Sequence, residues 1–216
     1  MSSEKYIPAL SYDLLTPFYD TVVRLTTREK LFKDALVAQA RIEANDRVLD
    51  LACGTGTLTI LLKQNQPSAE IVGIDGDPKI LALAKEKARA GNFEIRFDEG
   101  MSFALPYRNE SFDRVVSSLF FHHLTKESKL KTFGEIKRIL KPNGELHVAD
   151  WGLPANSLMR FSSEIIKRFD SPGTTADSFD GLLPKLITEA GFESIEETNY
   201  FNSVFGTIRL HKARRT

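Results

Sequence analysis

The chain has 216 residues with 29 basic and 29 acidic side chains, so its formal net charge is zero. That balance lacks the basic stripe of a nucleic-acid binder, and no uncharged apolar run reaches the ~18 residues of a membrane span. Cys53 is the only cysteine, which excludes an internal disulfide. A lone cysteine and a Met-Ser-Ser-Glu-Lys start without an apolar signal core lead us to expect a reducing compartment and a cytoplasmic protein. The length fits one α/β domain with a modest insertion, or one and a half small domains.

Residues 1–45 precede the first strand. Tyr12 to Asp20 is aromatic-rich and broken by Pro17, while Leu31, Phe32, Ala35, Leu36, Ala38 and Ala40 form a helical stripe. The segment reads either as a pair of helices packed on the domain or as a lid. Val48 to Leu51 has the character of a short buried parallel strand. Small residues follow, Ala52-Cys53-Gly54-Thr55-Gly56-Thr57, and then Leu58, Leu61 and Leu62 at helical spacing. A strand, a glycine loop and a helix N-terminus form the usual seat of a nucleotide-like cofactor in an open α/β sheet. The dinucleotide fingerprint is incomplete, because Thr59 stands where its third glycine belongs, and the Gly-Lys of a P-loop is absent. Asp50 suits a cation better than a pyrophosphate. A tight turn without a ligand is the alternative.

The second strand, Glu70 to Ile74, ends in Asp75-Gly76-Asp77-Pro78. A carboxylate there can accept from a ribose diol, in NAD enzymes as well. Asp77 reads as a helix cap with Pro78 at the first helical position, and Gly91 ends that helix. The third strand is expected over Phe93–Asp98, followed by Gly100-Met101-Ser102-Phe103-Ala104-Leu105-Pro106-Tyr107. Ser111-Phe112-Asp113 introduces the fourth strand, Arg114–Leu119, which runs into Phe120-Phe121-His122-His123-Leu124. Thr125 caps a helix reaching Leu140, and Lys141-Pro142-Asn143-Gly144 stops it before the fifth strand, Glu145–Asp150. The pattern weakens over 151–180, an insertion with one amphipathic helix. Leu182 to Ala190 is helical, and Phe192–Tyr200 and Ser203–Lys212 read as two tightly joined strands. Arg209 to Arg215 reads as a solvated basic terminus.

The glycine loop, Asp75, Leu-Pro-Tyr, Ser-Phe-Asp and the Leu-Lys-Pro-Asn-Gly turn resemble, in that order, class I S-adenosylmethionine (SAM)-dependent methyltransferases, especially the group with ubiquinone- and menaquinone-pathway enzymes. The resemblance spans roughly residues 45–212. It implies a Rossmann-like, seven-stranded, mostly parallel sheet with helices on both faces and an antiparallel last strand. It implies SAM as cofactor and S-adenosylhomocysteine as product. Asp50 would then lie near the methionine ammonium, with Ala52, Cys53, Gly54, Thr55 and Gly56 forming the loop around it. Asp75 and Gly76 would meet the ribose, and Met101 and Ser102 the adenine, Met101 replacing the family's usual acidic residue. Ser118 and Tyr19 complete the expected set. Residues 1–45 become an N-terminal helical lid and 46–216 the SAM-binding domain, with 151–180 on the acceptor side.

Methyl transfer needs alignment of an acceptor lone pair with the methyl carbon, and a base only where the acceptor must lose a proton. The candidate bases are His122, His123, Asp150 and the tyrosines of the N-terminal lid. Adjacent residues on an extended segment point opposite ways, so at most one histidine is expected to face the pocket. In the alternative, one bonds to backbone and the other lies at the surface. No cysteine or carboxylate cluster accompanies the pair, so no metal is expected. A Ser117 hydrolase triad lacks G-x-S-x-G. The Asn-Pro-Pro-aromatic signature of amino-group methylation is absent; the chain reads Ser117-Ser118-Leu119-Phe120. Phe120, Phe121, Trp151 and Phe161 point to an apolar or aromatic small-molecule acceptor, with O, N, C and S all open as the methylated atom. Two other readings stay open: a SAM-binding regulatory or partner subunit without catalysis, and an NAD(P)-binding reductase, the latter opposed by Thr59 and the terminal hairpin.

Overall fold

Val48, Leu49 and Leu51 are all buried, as a strand covered on both faces requires. They lie on β1 (Arg47–Leu51), near the middle of a seven-stranded sheet. In the computed structural model, residues 29–157, 159–160, 181–203 and 206–216 are described. β2 (Glu70–Asp75) and then β3 (Arg96–Glu99) extend the sheet from one side of β1 in parallel. On the other side come β4 (Phe112–Ser118) and β5 (Leu140–Gly152), also parallel. β7 (Gly206–Arg214) is antiparallel to β5, and β6 (Glu193–Ser203) closes the edge antiparallel to β7. The order β3-β2-β1-β4-β5-β7-β6 reverses direction between β1 and β4. Ligands in open α/β sheets collect at such a switch point, outside the carboxyl ends of the strands.

Alternation along β1 divides the core. Val48 joins a cluster with Phe32 and Leu36 of α1 (Glu29–Ala40) and Leu58 and Leu62 of α2 (Thr57–Asn65). Leu49 and Leu51 point to the opposite face, where Phe133 and Ile136 of α4 (Lys126–Ile139) and Leu183 and Leu186 of α5 (Leu183–Glu189) cover them. α3 (Pro78–Ala90) packs Leu81, Ala84 and Ala88 against Phe97 and Cys53. Each fully buried side chain of this size contributes about 1.5–3 kcal/mol. The caps at Asp77 and Thr125 form as read, each side chain accepting an amide of its helix's first turn.

Two of the family-like motifs act as fasteners. Asp113 accepts the Arg47 amide at 2.9 Å and Lys141 Nζ at 2.8 Å, joining β4 to β1 and β5, while Phe112 is buried. Glu135 of α4 accepts the Leu105 amide at 2.8 Å, and Arg138 donates to the Leu105 and Tyr107 carbonyls. The Leu-Pro-Tyr segment is thereby clamped to α4.

Three expectations need correction. β3 begins at Arg96, not Phe93, because the Phe93 amide bonds back to Ala88 and its ring folds over Gly91, so residues 91–93 finish α3. The Lys141–Gly144 turn is part of β5: Leu140 pairs with Phe112, and Asn143, at φ 63°, donates its amide to the Arg215 carbonyl. Arg209 to Arg214 is no solvated terminus. It is the body of β7, and Arg209, Lys212 and Arg214 pair with Glu197, Glu196 and Glu145.

Candidate functional site

The carboxyl ends of β1, β2, β4 and β5 meet at the switch point, and two non-glycine residues there are left-handed: Ala52 after β1 (φ 56°) and Leu119 after β4 (φ 53°). Such conformations cost about 1–3 kcal/mol each and cluster at functional sites. Leu119 is held by its amide, which donates to the Ala149 carbonyl at 2.8 Å.

The glycine loop is tied from three sides. The Cys53 amide donates to the Ile74 carbonyl at 2.9 Å and the Gly56 amide to the Cys53 carbonyl at 3.0 Å. The Gly54 amide donates to Asp75 Oδ2 at 2.9 Å, while Asp75 Oδ1 accepts the Asp77 amide at 3.0 Å. On the outside, Lys87 of α3 donates to Thr55 and Thr57 at 3.2 and 2.9 Å. Both glycines are left-handed, for different reasons. A Cβ on Gly56 would lie 3.0 Å from Ala84 Cβ and 3.2 Å from the Phe97 ring, whereas a Cβ on Gly54 would meet nothing within 4 Å. Gly54 therefore borders open space, and Gly56 lets the loop pack on α3 and β3.

Asp50 lies beneath this loop, 1% exposed, facing α1 and α2. Burial pushes its carboxyl up to about 7, against the pull of the Thr59 hydroxyl and Lys33. Burial also holds Asp75 above the usual carboxylate range, although the Asp77 and Gly54 amides draw it down. Gly76 lies between Asp75 and Asp77 on the bend into α3. Met101 closes a short bridge with Ala104, and the Ser102 hydroxyl bonds Thr132 of α4 at 2.9 Å. Ser118 ends β4, opposite Ala149 of β5. Tyr19 lies outside the described residues.

The histidine pair is not extended. Phe121–His123 forms a 3-10 turn, and the two rings sit side by side with centroids 3.9 Å apart. The opposite-pointing expectation fails because the chain curls at the end of β4 to bury Phe121 against Phe133. His123 is exposed; His122 is buried and bonds Asp150 Oδ1 through Nδ1 at 2.6 Å. Asp150 also accepts the Trp151 amide at 2.7 Å and the His122 amide at 3.3 Å. Burial alone would raise the Asp150 carboxyl, but His122 outweighs it and holds the group below the usual carboxylate range. A carboxylate so placed fixes the tautomer that leaves Nε2 to exchange protons. Ser117 belongs to no triad, since its hydroxyl donates to the Leu51 carbonyl at 2.9 Å.

Sequence reading missed the pairing of His122 with Asp150, the Lys87 staple and the bond from Thr59 to Asp50. Only Thr59 carried a signal, as the residue that broke the dinucleotide pattern.

Residues 48–144 match the family model of the methyltransferase domain. The chain is 37% identical over 142 residues to a demethylmenaquinone methyltransferase of Thermus thermophilus, covering 65% of this chain and 64% of the relative. With the relatives from Deinococcus radiodurans and Lactobacillus johnsonii, the matched stretch is 60% and 65% of the relative, so the chain spans under two thirds of their length. Among solved structures, a SAM-dependent methyltransferase from Aquifex aeolicus superposes with a TM-score of 0.67 at 17% identity, covering 98% of this chain and 100% of the other. The [4+2]-cyclase SpnF does so at 0.73 and 19%, covering 94% and 93%. At such identities these two speak for the fold alone. The sheet order, the glycine loop beside Asp50 and Asp75, and the methyltransferase-domain match over residues 48–144 make this chain similar to class I methyltransferases.

Proposed function

We propose that this protein transfers a methyl group from SAM to an apolar or aromatic small molecule, with a quinone- or quinol-like ring as the acceptor class. The carrying observation is the buried His122–Asp150 pair beside a glycine loop whose flanking side chains are acidic. The donor set suits this cofactor. Asp50 favours a cationic ligand over a pyrophosphate, Asp75 suits a diol, and the open space at Gly54 lets a ligand approach the loop backbone. Asp50 would hold the ammonium side, Ala52 to Gly56 the methionine portion, Asp75 and Gly76 the ribose, and Met101 and Ser102 the adenine end, with Ser118 and Tyr19 bordering the methyl. When bound, SAM supplies an electrophilic methyl on a good leaving group. The protein contributes orientation and exclusion of water. His122 takes the acceptor's proton at Nε2 while Asp150 stabilises the resulting imidazolium, and His123 lies at the rim. Names of the relatives support the quinone-like ring, as does Trp151, whose ring lies edge-on to His122. We assign acceptor selection to residues 6–20 and 151–180, of which 6–20, 158 and 161–180 lie outside the described residues.

Two measurements test this. Thermal shift with SAM, S-adenosylhomocysteine, NADH and NADPH should give stabilisation by the first two only; a response confined to the nicotinamides overturns it. A methyl-transfer screen over quinols, phenols and amines should give turnover on the quinol or phenol set. S-adenosylhomocysteine binding without turnover on any acceptor favours the non-catalytic subunit.

A further inference from the structure

Thr59 is fully buried on the first turn of α2, and its Oγ1 donates a 2.6 Å hydrogen bond to Asp50 Oδ2. The Thr59 backbone amide adds a second bond to the same carboxyl. A carboxylate out of water keeps its charge only through such donors or nearby cations. The groups facing Asp50 come from every element around it. From α1 comes Lys33, which is itself paired with Glu29. From β2 comes Asp75, a like charge, and from the loop the Cys53 thiol, which burial and both aspartates keep protonated. On β4, the paired residue is the apolar Val116. Thr59 is thus the hydrogen-bonding donor, the cation that acts on Asp50 among the described residues, Lys33, is shared with Glu29, and the next carboxylate opposes ionisation.

We propose that Thr59 is a positioning residue that sets the charge state of Asp50 and couples cofactor capture to release of one proton. The proposal rests on the reading that Asp50 faces the methionine ammonium. Without ligand, the Asp50 carboxyl holds a proton through the acid-to-neutral range. The arriving ammonium favours the carboxylate, so the O–H bond breaks and the proton leaves to solvent. Binding then weakens as pH falls below the unliganded value, by up to tenfold per pH unit, and is flat above it. Burial places that value at about 7. Removing the hydroxyl takes away a bond that favours the charged form, so the break moves to higher pH. The third-glycine position of the dinucleotide loop is thereby explained: this chain places there a donor for the acid beneath the loop.

Calorimetry with S-adenosylhomocysteine between pH 5.5 and 9, in buffers of different ionisation heat, tests this on the full chain. The wild type should release close to one proton per ligand near pH 6 and almost none at pH 9. Thr59→Val should bind on the order of tenfold more weakly at pH 7 and recover toward wild type at pH 9. Thr59→Ser should restore the original profile. Asp50→Asn, which cannot titrate, should bind weakly with a flat profile, separating this proton from one on Asp75. A Thr59→Val loss equal at every pH, or a break that persists in Asp50→Asn, overturns the proposal. A wild type that fails to bind S-adenosylhomocysteine at all defeats the cofactor reading instead.

Discussion

Three carboxylates at the switch point have different local environments, and each supports a prediction at the residue scale. Asp50 is the destabilising one. Its folded value of about 7 exceeds the ordinary 3.8, so between these pH values the folded state binds more protons than the unfolded one and stability falls as pH rises. The gap corresponds to at most on the order of 4 kcal/mol. Asp50→Asn should therefore raise Tm above wild type at pH 8, with the gain shrinking toward pH 4, while S-adenosylhomocysteine binding weakens; a lower Tm at pH 8 would count against a buried charge there. Asp150 has the opposite sign. Its carboxyl is held below the ordinary value, so its stabilisation is present above the unfolded value near 3.8 and disappears as pH falls through the lower folded one. His122→Ala leaves this charge buried without its ring partner and should destabilise by about 3–5 kcal/mol. Asp150→Asn is the gentler test of catalysis. It should lower turnover by about 10²–10⁴-fold with S-adenosylhomocysteine affinity nearly unchanged. Asp75 holds the Gly54 and Asp77 amides, and the proposed function adds the ribose to its partners. Asp75→Ala should weaken SAM and S-adenosylhomocysteine in parallel by at least about tenfold. It should raise KM with saturated kcat largely kept, and lower Tm by orphaning a loop amide. Affinity for both ligands unchanged from wild type would remove Asp75 from the site.

At the element scale, the two glycines of the loop have opposite surroundings, open space at Gly54 and packed side chains at Gly56. Gly56→Ala forces a Cβ into Ala84 and the Phe97 ring, on a backbone at φ 74°. Gly54→Ala adds only the left-handed penalty, about 1–2 kcal/mol, because its Cβ points into open space. Gly56→Ala should thus lower Tm well below Gly54→Ala, while Gly54→Ala stays folded and loses S-adenosylhomocysteine. Paired melting curves and calorimetry check both; equal Tm losses would mean that loop packing on α3 does not depend on Gly56. The 3-10 turn after β4 follows the same division of labour. Phe121 anchors it in the core, stacked on Phe133 at 4.7 Å, and this seating delivers His122 to Asp150.

For the molecule as a whole, the last strand in sequence is not the last in the sheet. β7 lies between β5 and β6 and supplies Ile208, Leu210 and Ala213 to both core clusters. Removing residues 206–216 would expose the β5 edge and strand β6 from the sheet. Such a truncation should abolish cooperative unfolding, seen as loss of a calorimetric transition. A truncated chain that still melts cooperatively would show that β7 is dispensable. The ion pairs between β6 and β7 contribute little by comparison. Lys212–Glu196 is partly exposed, and such pairs are worth about 0–1 kcal/mol.

Much of this architecture was legible in the chain because it rests on local regularities. Apolar runs of strand length, helical stripes, the Asp77 and Thr125 caps and the two final strands place most elements within a few residues. The acidic glycine loop marked the turn at the carboxyl end of β1, because backbone conformation and charge there belong to adjacent residues. What the tertiary structure decided was every relation between residues far apart in sequence. Asp150 meets His122 only because β5 pairs with β4, and Phe121 curls the intervening chain into a turn where alternation suggested an extended segment. β3 was misread at Phe93 because a hydrogen bond back to the preceding helix outweighed an alternating pattern. The basic run near the end became a strand interior because acidic partners on β6 and β5 face it across the sheet. Spacing in sequence carries no record of burial, and burial turned Asp50 from an ordinary acid into one that titrates near neutrality.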